Sequence, residues 1–423
     1  MRTDGEGLRR TLGLWHGVAL YAGSVLGTGV LVLPAIAAET AGPASLLAWL
    51  ALVLLSAPMA LAYAALSRQR PDAGGFSDAI ERAFGARWGM VSGWFFLAQN
   101  PTGSVVAALI AGHSLASVTG GGEAHALAFG GLLLAAAYLL NALGLRVSAL
   151  AQLATLAALA AGLVAVAGRA LPAVEPAAFT PFFPKGHGAV GLAAVQLFWA
   201  FVGWEAITPL AREFRDARDI WRASLVAVVV VGAVYLTLAV AVIGTPMPAG
   251  SAGAPLVFLA GRAFGDRASA VVGVAGYLLC FIPLNAYAAG TSRLVHALAS
   301  RGQLPAFLAP LSPSGTPLRA LGALALGSAC ALGAAWGLGL DEADFLPIST
   351  SAFLATYVLS MAAATRLLTG PLRLAAVISL AACLSVLWFV GPLLLWLGAV
   401  AAAALAYRGL AGGRGRVPSR TAA

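Results

Sequence analysis

The chain has 423 residues, of which 60% are hydrophobic and only 10% charged. Soluble domains carry nearer 25% charged residues, so the composition excludes a soluble protein and fits one polytopic membrane domain. The net charge of +9 does not point to nucleic acid, because the basic residues sit in short stretches between apolar runs.

A bilayer crossing takes about 20 apolar residues. By that measure twelve spans follow in chain order: 13–38, 43–66, 89–118, 124–143, 147–168, 189–211, 222–245, 268–292, 318–338, 345–367, 372–390 and 391–410. The first run is too long for the apolar core of a cleaved leader and continues past Pro34, so it reads as a span. After span 2, the loop from Arg68 to Gly75 leads into a stretch where Phe76, Ile80 and Phe84 recur at helical spacing, with Asp78, Glu81 and Arg82 between them. That spacing predicts an interfacial helix on the cytoplasmic side. The last two spans run together, and their turn is placed at Gly391-Pro392. Residues 411–423 carry glycine, arginine and proline and are expected to form a disordered cytoplasmic tail. Cys280, Cys330 and Cys383 lie inside apolar runs, as small packing residues rather than disulfide or metal positions.

Arginine placement tests the count. With the N-terminus inside, 21 basic residues fall on the cytoplasmic side, among them Arg9, Arg10, Arg68, Arg82, Arg215, Arg293 and Arg366. Only Arg169, Lys185, Arg262 and Arg267 fall outside. The positive-inside rule then sets both termini on the cytoplasmic side. The acidic turn Asp341-Glu342-Ala343-Asp344 falls outside.

Two spans carry an interruption. Span 1 contains Gly23-Ser24-Val25-Leu26-Gly27-Thr28-Gly29, and span 6 contains Trp199-Ala200-Phe201-Val202-Gly203-Trp204-Glu205. Unwound backbone at membrane depth survives only where it lines a cavity or is buried in protein. Paired broken helices point to the binding site of a secondary transporter. Five spans separate the two breaks, and five is odd, so the second copy is inverted across the membrane. This gives a five-plus-five inverted repeat, about 13–168 and 189–367, with two further helices over 372–410.

At these residues the chain resembles the amino acid–polyamine–organocation superfamily. The likeness rests on Leu26-Gly27-Thr28-Gly29 through Pro34, on Pro71-Asp72-Ala73-Gly74-Gly75-Phe76 and on Phe198 to Ala206. It continues in Glu213 to Ile220 and in Leu284 to Arg293. Within that superfamily it is most similar to bacterial exporters of methionine and branched-chain amino acids. The resemblance implies an all-α polytopic fold of the leucine-transporter kind, an amino acid substrate and transport by alternating access.

A helix restarting near Gly29 presents unpaired N–H groups and a positive dipole end, which attract a carboxylate. Ser24, Val25, Gly27, Thr28 and Gly29 form this half of the candidate site. Carbonyls near Phe201 and Val202 attract an ammonium, and the family places the ligand's two ends in the same way. The alternative is that the glycines only let helices pack closely. Trp199 either stacks over the ligand, as an aromatic does at this place in the family, or packs. Leu97, Pro101, Trp199 and Leu284 are expected at the side-chain end of the pocket. Gln99-Asn100-Pro101 either kinks span 3 or touches ligand.

Glu205 is the one acid deep inside a span, where an unpaired charge costs about 3 kcal/mol. It reads either as a proton-sensitive gate or as a cap on the restarted sixth helix; the two are compatible. His16, His113 and His296 lie near span ends, as local hydrogen-bonding residues. A sodium site through Thr291 and Ser292 competes with ordinary back-bonding of those hydroxyls. Protons are the favoured coupling ion and sodium the lesser alternative.

The sequence has no Walker motif, no catalytic cluster and no metal-ligand spacing. It predicts no enzyme, no cofactor and no nucleic-acid partner. The expected activity is export of uncharged apolar amino acids such as Met, Leu, Ile and Val. Uptake or exchange is the alternative, and a sensor that does not transport the more distant one.

Overall fold

The computed structural model describes residues 13–69, 76–144, 161–204, 214–247 and 253–412. Glu205, most of predicted span 5 and the tail from 413 lie outside the described residues.

Within them every element is a helix. A chain in hydrocarbon must satisfy its own backbone, and the α-helix does so within one segment. In chain order the elements are α1 (Leu14–Val25), α2 (Gly29–Ala41), α3 (Ser45–Gln69), α4 (Phe76–Phe84), α5 (Ala86–Thr119), α6 (Glu123–Ala142), α7 (Ala161–Ala173) and α8 (Gly188–Phe198). They continue as α9 (Ala217–Gly244), α10 (Pro255–Phe264), α11 (Asp266–Ser300), α12 (Leu318–Leu338), α13 (Glu342–Leu367), α14 (Gly370–Trp388) and α15 (Leu393–Gly412).

Eight helical stretches among the described residues are long and apolar enough to cross a membrane. That number differs from the twelve spans expected, for local reasons. Predicted span 1 is cut into α1 and α2, and α2 runs through one 3₁₀ turn into α3, so 29–69 counts as one stretch. Predicted span 6 is represented by the short α8. The turn between α14 and α15 falls where Gly391 adopts a positive φ of 61°, at the dipeptide expected from sequence.

The helices pack as two sets. In one, α3 lies against α8 and α9, α1 against α9, and α2 against α8 and α9. In the other, α5 packs on α6, α11 and α12. Helix α13 lies along α5 and also touches α8 and α14. The second set is tied by buried polar groups. Asn100 Nδ2 donates to Thr291 Oγ1 at 3.2 Å, and the Tyr138 hydroxyl lies 2.9 Å from Ser328 Oγ and 3.3 Å from Asn100 Oδ1. Asn141 Nδ2 reaches Asn285 Oδ1 at 2.7 Å. In lipid, where apolar contact gives helices little reason to associate, such hydrogen bonds and close packing supply the cohesion.

The amphipathic stretch after span 2 forms helix α4. Ile80 is fully buried, and Asp78 pairs with Arg82 at 3.1 Å on the other face. Arg366, from the end of α13, stacks over the Phe84 ring at 4.6 Å and donates to the Ala83 carbonyl. Of the cysteines, Cys280 and Cys383 are buried and Cys330 is exposed on α12.

Candidate functional site

The first break begins at Leu26, where α1 stops, and ends at Gly29, where α2 starts. Leu26 N–H still reaches Ala22 O, and Gly27 N–H turns back onto Val25 O at 2.7 Å. Val30 reaches Gly27 O only at 3.4 Å. Among the described residues the Thr28 N–H finds no backbone acceptor. Ser24 and Val25 occupy the last turn of α1.

The second break begins with one 3₁₀ turn, Trp199–Phe201. Val202 is extended, at φ −76° and ψ 138°. Gly203 has a φ of 128°, a conformation that side chains rarely adopt. Its N–H donates to the Tyr357 hydroxyl at 3.1 Å. Among the described residues no donor reaches the carbonyls of Phe201 or Val202. Glu205 lies outside the described residues.

The fold lays these two breaks side by side. Trp199 Nε1 donates to Thr28 Oγ1 at 3.2 Å. The Tyr235 hydroxyl, from α9, reaches Val25 O at 2.7 Å and Ala200 O at 3.0 Å. Its ring is fully buried between Trp49 and Phe201. A Cβ on Gly29 would meet Leu33 Cδ1 at 2.7 Å, Trp199 Cδ1 at 3.1 Å and Ala200 Cα at 3.3 Å. A Cβ on Gly27 would meet only Val25 O, at 3.9 Å. The two glycines therefore differ: Gly29 lets the breaks touch, and Gly27 borders open space.

The other expected lining residues divide. Trp199 packs edge-on against Phe353 of α13, which also meets Phe96 and Tyr287. Gln99 and Gly103 of α5 face the Trp199 ring: a Cβ on Gly103 would lie 3.0 Å from Trp199 Cη2 and 2.9 Å from Gln99 Oε1. Pro101 turns instead toward Gly327 of α12, whose Cβ would sit 3.2 Å from its ring. Leu284 is buried within α11, and Leu97 is half-buried against the same core. Gln99 and Gly103, one helical turn apart, lie on the face of α5 toward Trp199, and Pro101 lies on the face toward α12.

The sequence reading missed Tyr235 and Phe353. Tyr235 was detectable, as a tyrosine within the apolar run of span 7 whose hydroxyl must find a partner once buried. Thr291 receives the Asn100 amide, and Ser292 donates back to Ala289 O at 3.0 Å. Both hydroxyls are used within the protein. His296 contacts Ala309 O at 2.7 Å, a local role. His113 instead joins helices, contacting Glu123 and Glu342.

Two interrupted helices with their breaks in contact, inside a bundle of membrane-length helices, define a membrane transporter rather than an enzyme. A family model described as amino acid permease matches residues 12–395, and the chain belongs to that family, within the amino acid–polyamine–organocation superfamily. It is 35% identical to an uncharacterized amino acid permease, YecA, of Bacillus subtilis (strain 168), over 85% of this chain and 86% of that one. It is 34% identical to the L-methionine/branched-chain amino acid exporter YjeH of Escherichia coli (strain K12), over 91% of this chain and 93% of that one. The crystal structure of MhsT in complex with L-phenylalanine superposes with a TM-score of 0.60 at 17% identity, covering 88% of this chain and 97% of that chain. That likeness establishes the fold.

Proposed function

We propose that this permease exports neutral apolar amino acids, chiefly Met, Leu, Ile and Val, across the bacterial inner membrane in exchange for protons, with both termini cytoplasmic. One observation carries the reading. Among the described residues the Thr28 N–H has no backbone acceptor and the carbonyls of Phe201 and Val202 have no donor, and these groups lie on two touching breaks. An amino acid offers one carboxylate and one ammonium, and this pairing of donors and acceptors complements both ends. The side-chain end near Trp199 is bounded by Phe353 and Gln99 and carries no arginine or lysine among the described residues. Unpaired charge is costly away from water, so charged substrates are disfavoured. The similarity to YjeH supports the same substrates and the outward direction. Transport proceeds by alternating access, as the set containing α1, α2, α3, α8 and α9 moves against the set around α5.

Labelled Met, Leu, Arg and Glu taken up by inside-out vesicles test this directly, with and without an imposed pH gradient. Met and Leu are expected to accumulate and to compete, since one methylene changes binding by only about 1–3 kcal/mol. Selective movement of Arg or Glu would overturn the assignment.

Glu205 is the proposed proton-responsive group. Glu205→Gln is expected to insert normally and to flatten the pH dependence of transport, because the amide no longer titrates. An unchanged pH profile would leave Glu205 as a helix cap only.

A further inference from the structure

We propose that His113, Glu123 and Glu342 form a proton-responsive latch on the external face, holding α13 against α5 and α6. His113 lies near the end of α5 that faces the acidic turn. Its Nε2 is 3.1 Å from Glu123 Oε2, at the start of α6, and its Nδ1 is 3.0 Å from Glu342 Oε2, the first residue of α13. One imidazole therefore joins three helix ends. With the imidazole protonated, the 3.0 Å contact to Glu342 is an ion pair. Glu342 is 4% exposed, and a buried carboxylate needs a cation beside it.

The surroundings make His113 the counter-ion. Asp341 and Asp344 flank Glu342 and cap α13 through each other's backbone N–H groups. Burial, together with the neighbouring Glu342 charge, pushes the Asp341 carboxyl up from its usual range. Glu39, at the end of α2, lies within electrostatic reach of Asp341 and Glu342. Lys185 donates to the Glu39 backbone carbonyl and acts electrostatically on the Glu39 carboxylate, and among the described residues it forms no ion pair with Glu342. Along α5 the remaining neighbours bring no buried charge to this end: Arg262 of α10 and Asp266 and Arg267 of α11 are exposed. Arg319 of α12 and Arg408 of α15 sit at the opposite face.

The charge logic gives a direction. In acid medium the imidazole carries its proton, and the His113–Glu342 pair is neutral and closed. In alkaline medium the imidazole loses its proton, and Glu342 faces Glu123 and its acidic neighbours with no cation. The latch then opens α13 away from α5. Because α13 also carries Phe353, which packs on Trp199, opening reaches the substrate site.

The test labels an Ala116→Cys variant with a membrane-impermeant maleimide, in a Cys330→Ser background, in intact cells. Ala116 is buried on α5 one turn from His113, and Cys280 and Cys383 are buried. His113→Gln is expected to raise the labelling rate by roughly 10-fold, because it strands two carboxylates. Adding Glu342→Gln should bring the rate back to within about 3-fold of the parent, as coupled residues behave non-additively. Raising the external pH from about 6 to about 10 should increase labelling of the parent, since imidazole titrates between these values. The double variant should not respond. Equal labelling of the parent and His113→Gln, additive effects in the double variant, or a parent indifferent to external pH would each overturn the latch. Wild-type labelling in the double variant also shows that the fold survives the substitutions.

Discussion

Gly27→Val should insert, fold and lose transport by about 10- to 100-fold, the worth of one hydrogen bond to a charged group. Gly29→Val should fail earlier, at folding. The two positions differ by one residue, yet their surroundings are opposite. A Cβ at Gly27 meets only Val25 O at 3.9 Å, so valine methyls enter open space beside the Thr28 N–H. They occupy the place proposed for the substrate carboxylate and leave the packing of the two breaks untouched. A Cβ at Gly29 meets Trp199 Cδ1 at 3.1 Å and the Ala200 backbone at 3.3 Å. Backbone cannot rotate away, and forced overpacking costs about 1–3 kcal/mol. Thermal stability in detergent and substrate flux in vesicles, measured on both variants, separate the two effects. Normal flux in Gly27→Val would show that no ligand approaches there.

This contrast also marks how much was legible in the sequence. The glycine-rich run identified the first break because few helices spend so many glycines at membrane depth without cause. It did not say which glycine touches protein and which faces space, since that depends on Trp199, 170 residues later in the chain. The amphipathic helix α4 was readable because its whole signal is local: Ile80 inward, Asp78 and Arg82 outward. The turn at Gly391 was readable for the same reason. The span 3 residues were harder. Helical periodicity alone does not say which face of α5 meets α12 and which meets Trp199, when nearly every position is apolar. Pro101 went to α12, and Gln99 and Gly103 went to the break. His113 near a span end gave no hint of Glu342, because the two meet only through the packing of α13 on α5.

Tyr235→Phe should reduce transport by about 10-fold or more while lowering stability only slightly. The phenyl ring keeps its place between Trp49, at 5.0 Å, and Phe201, at 5.3 Å, so no cavity forms. What disappears is a single hydroxyl lying 2.7 Å from Val25 O and 3.0 Å from Ala200 O. It has one proton and two acceptors, so it donates to either break and spans the gap between them. Val25 O retains the Gly27 N–H. Ala200 O loses this donor, and a lost hydrogen bond to a buried acceptor costs up to about 1–3 kcal/mol. That cost falls on the relative position of the two breaks, which the proposed site needs fixed if one ligand is to bridge Thr28 and Val202. Tyr235→Ala would confuse the result, because removing a large buried ring costs about 3–5 kcal/mol through the cavity alone. The informative measurement is therefore initial flux of labelled Met and Leu in vesicles carrying Tyr235→Phe, beside its melting temperature. Wild-type flux at wild-type stability would show that the two breaks hold their register without the bridge. A large fall in flux with a near-normal melting temperature would place the hydroxyl in the transport cycle, because packing alone predicts no such split.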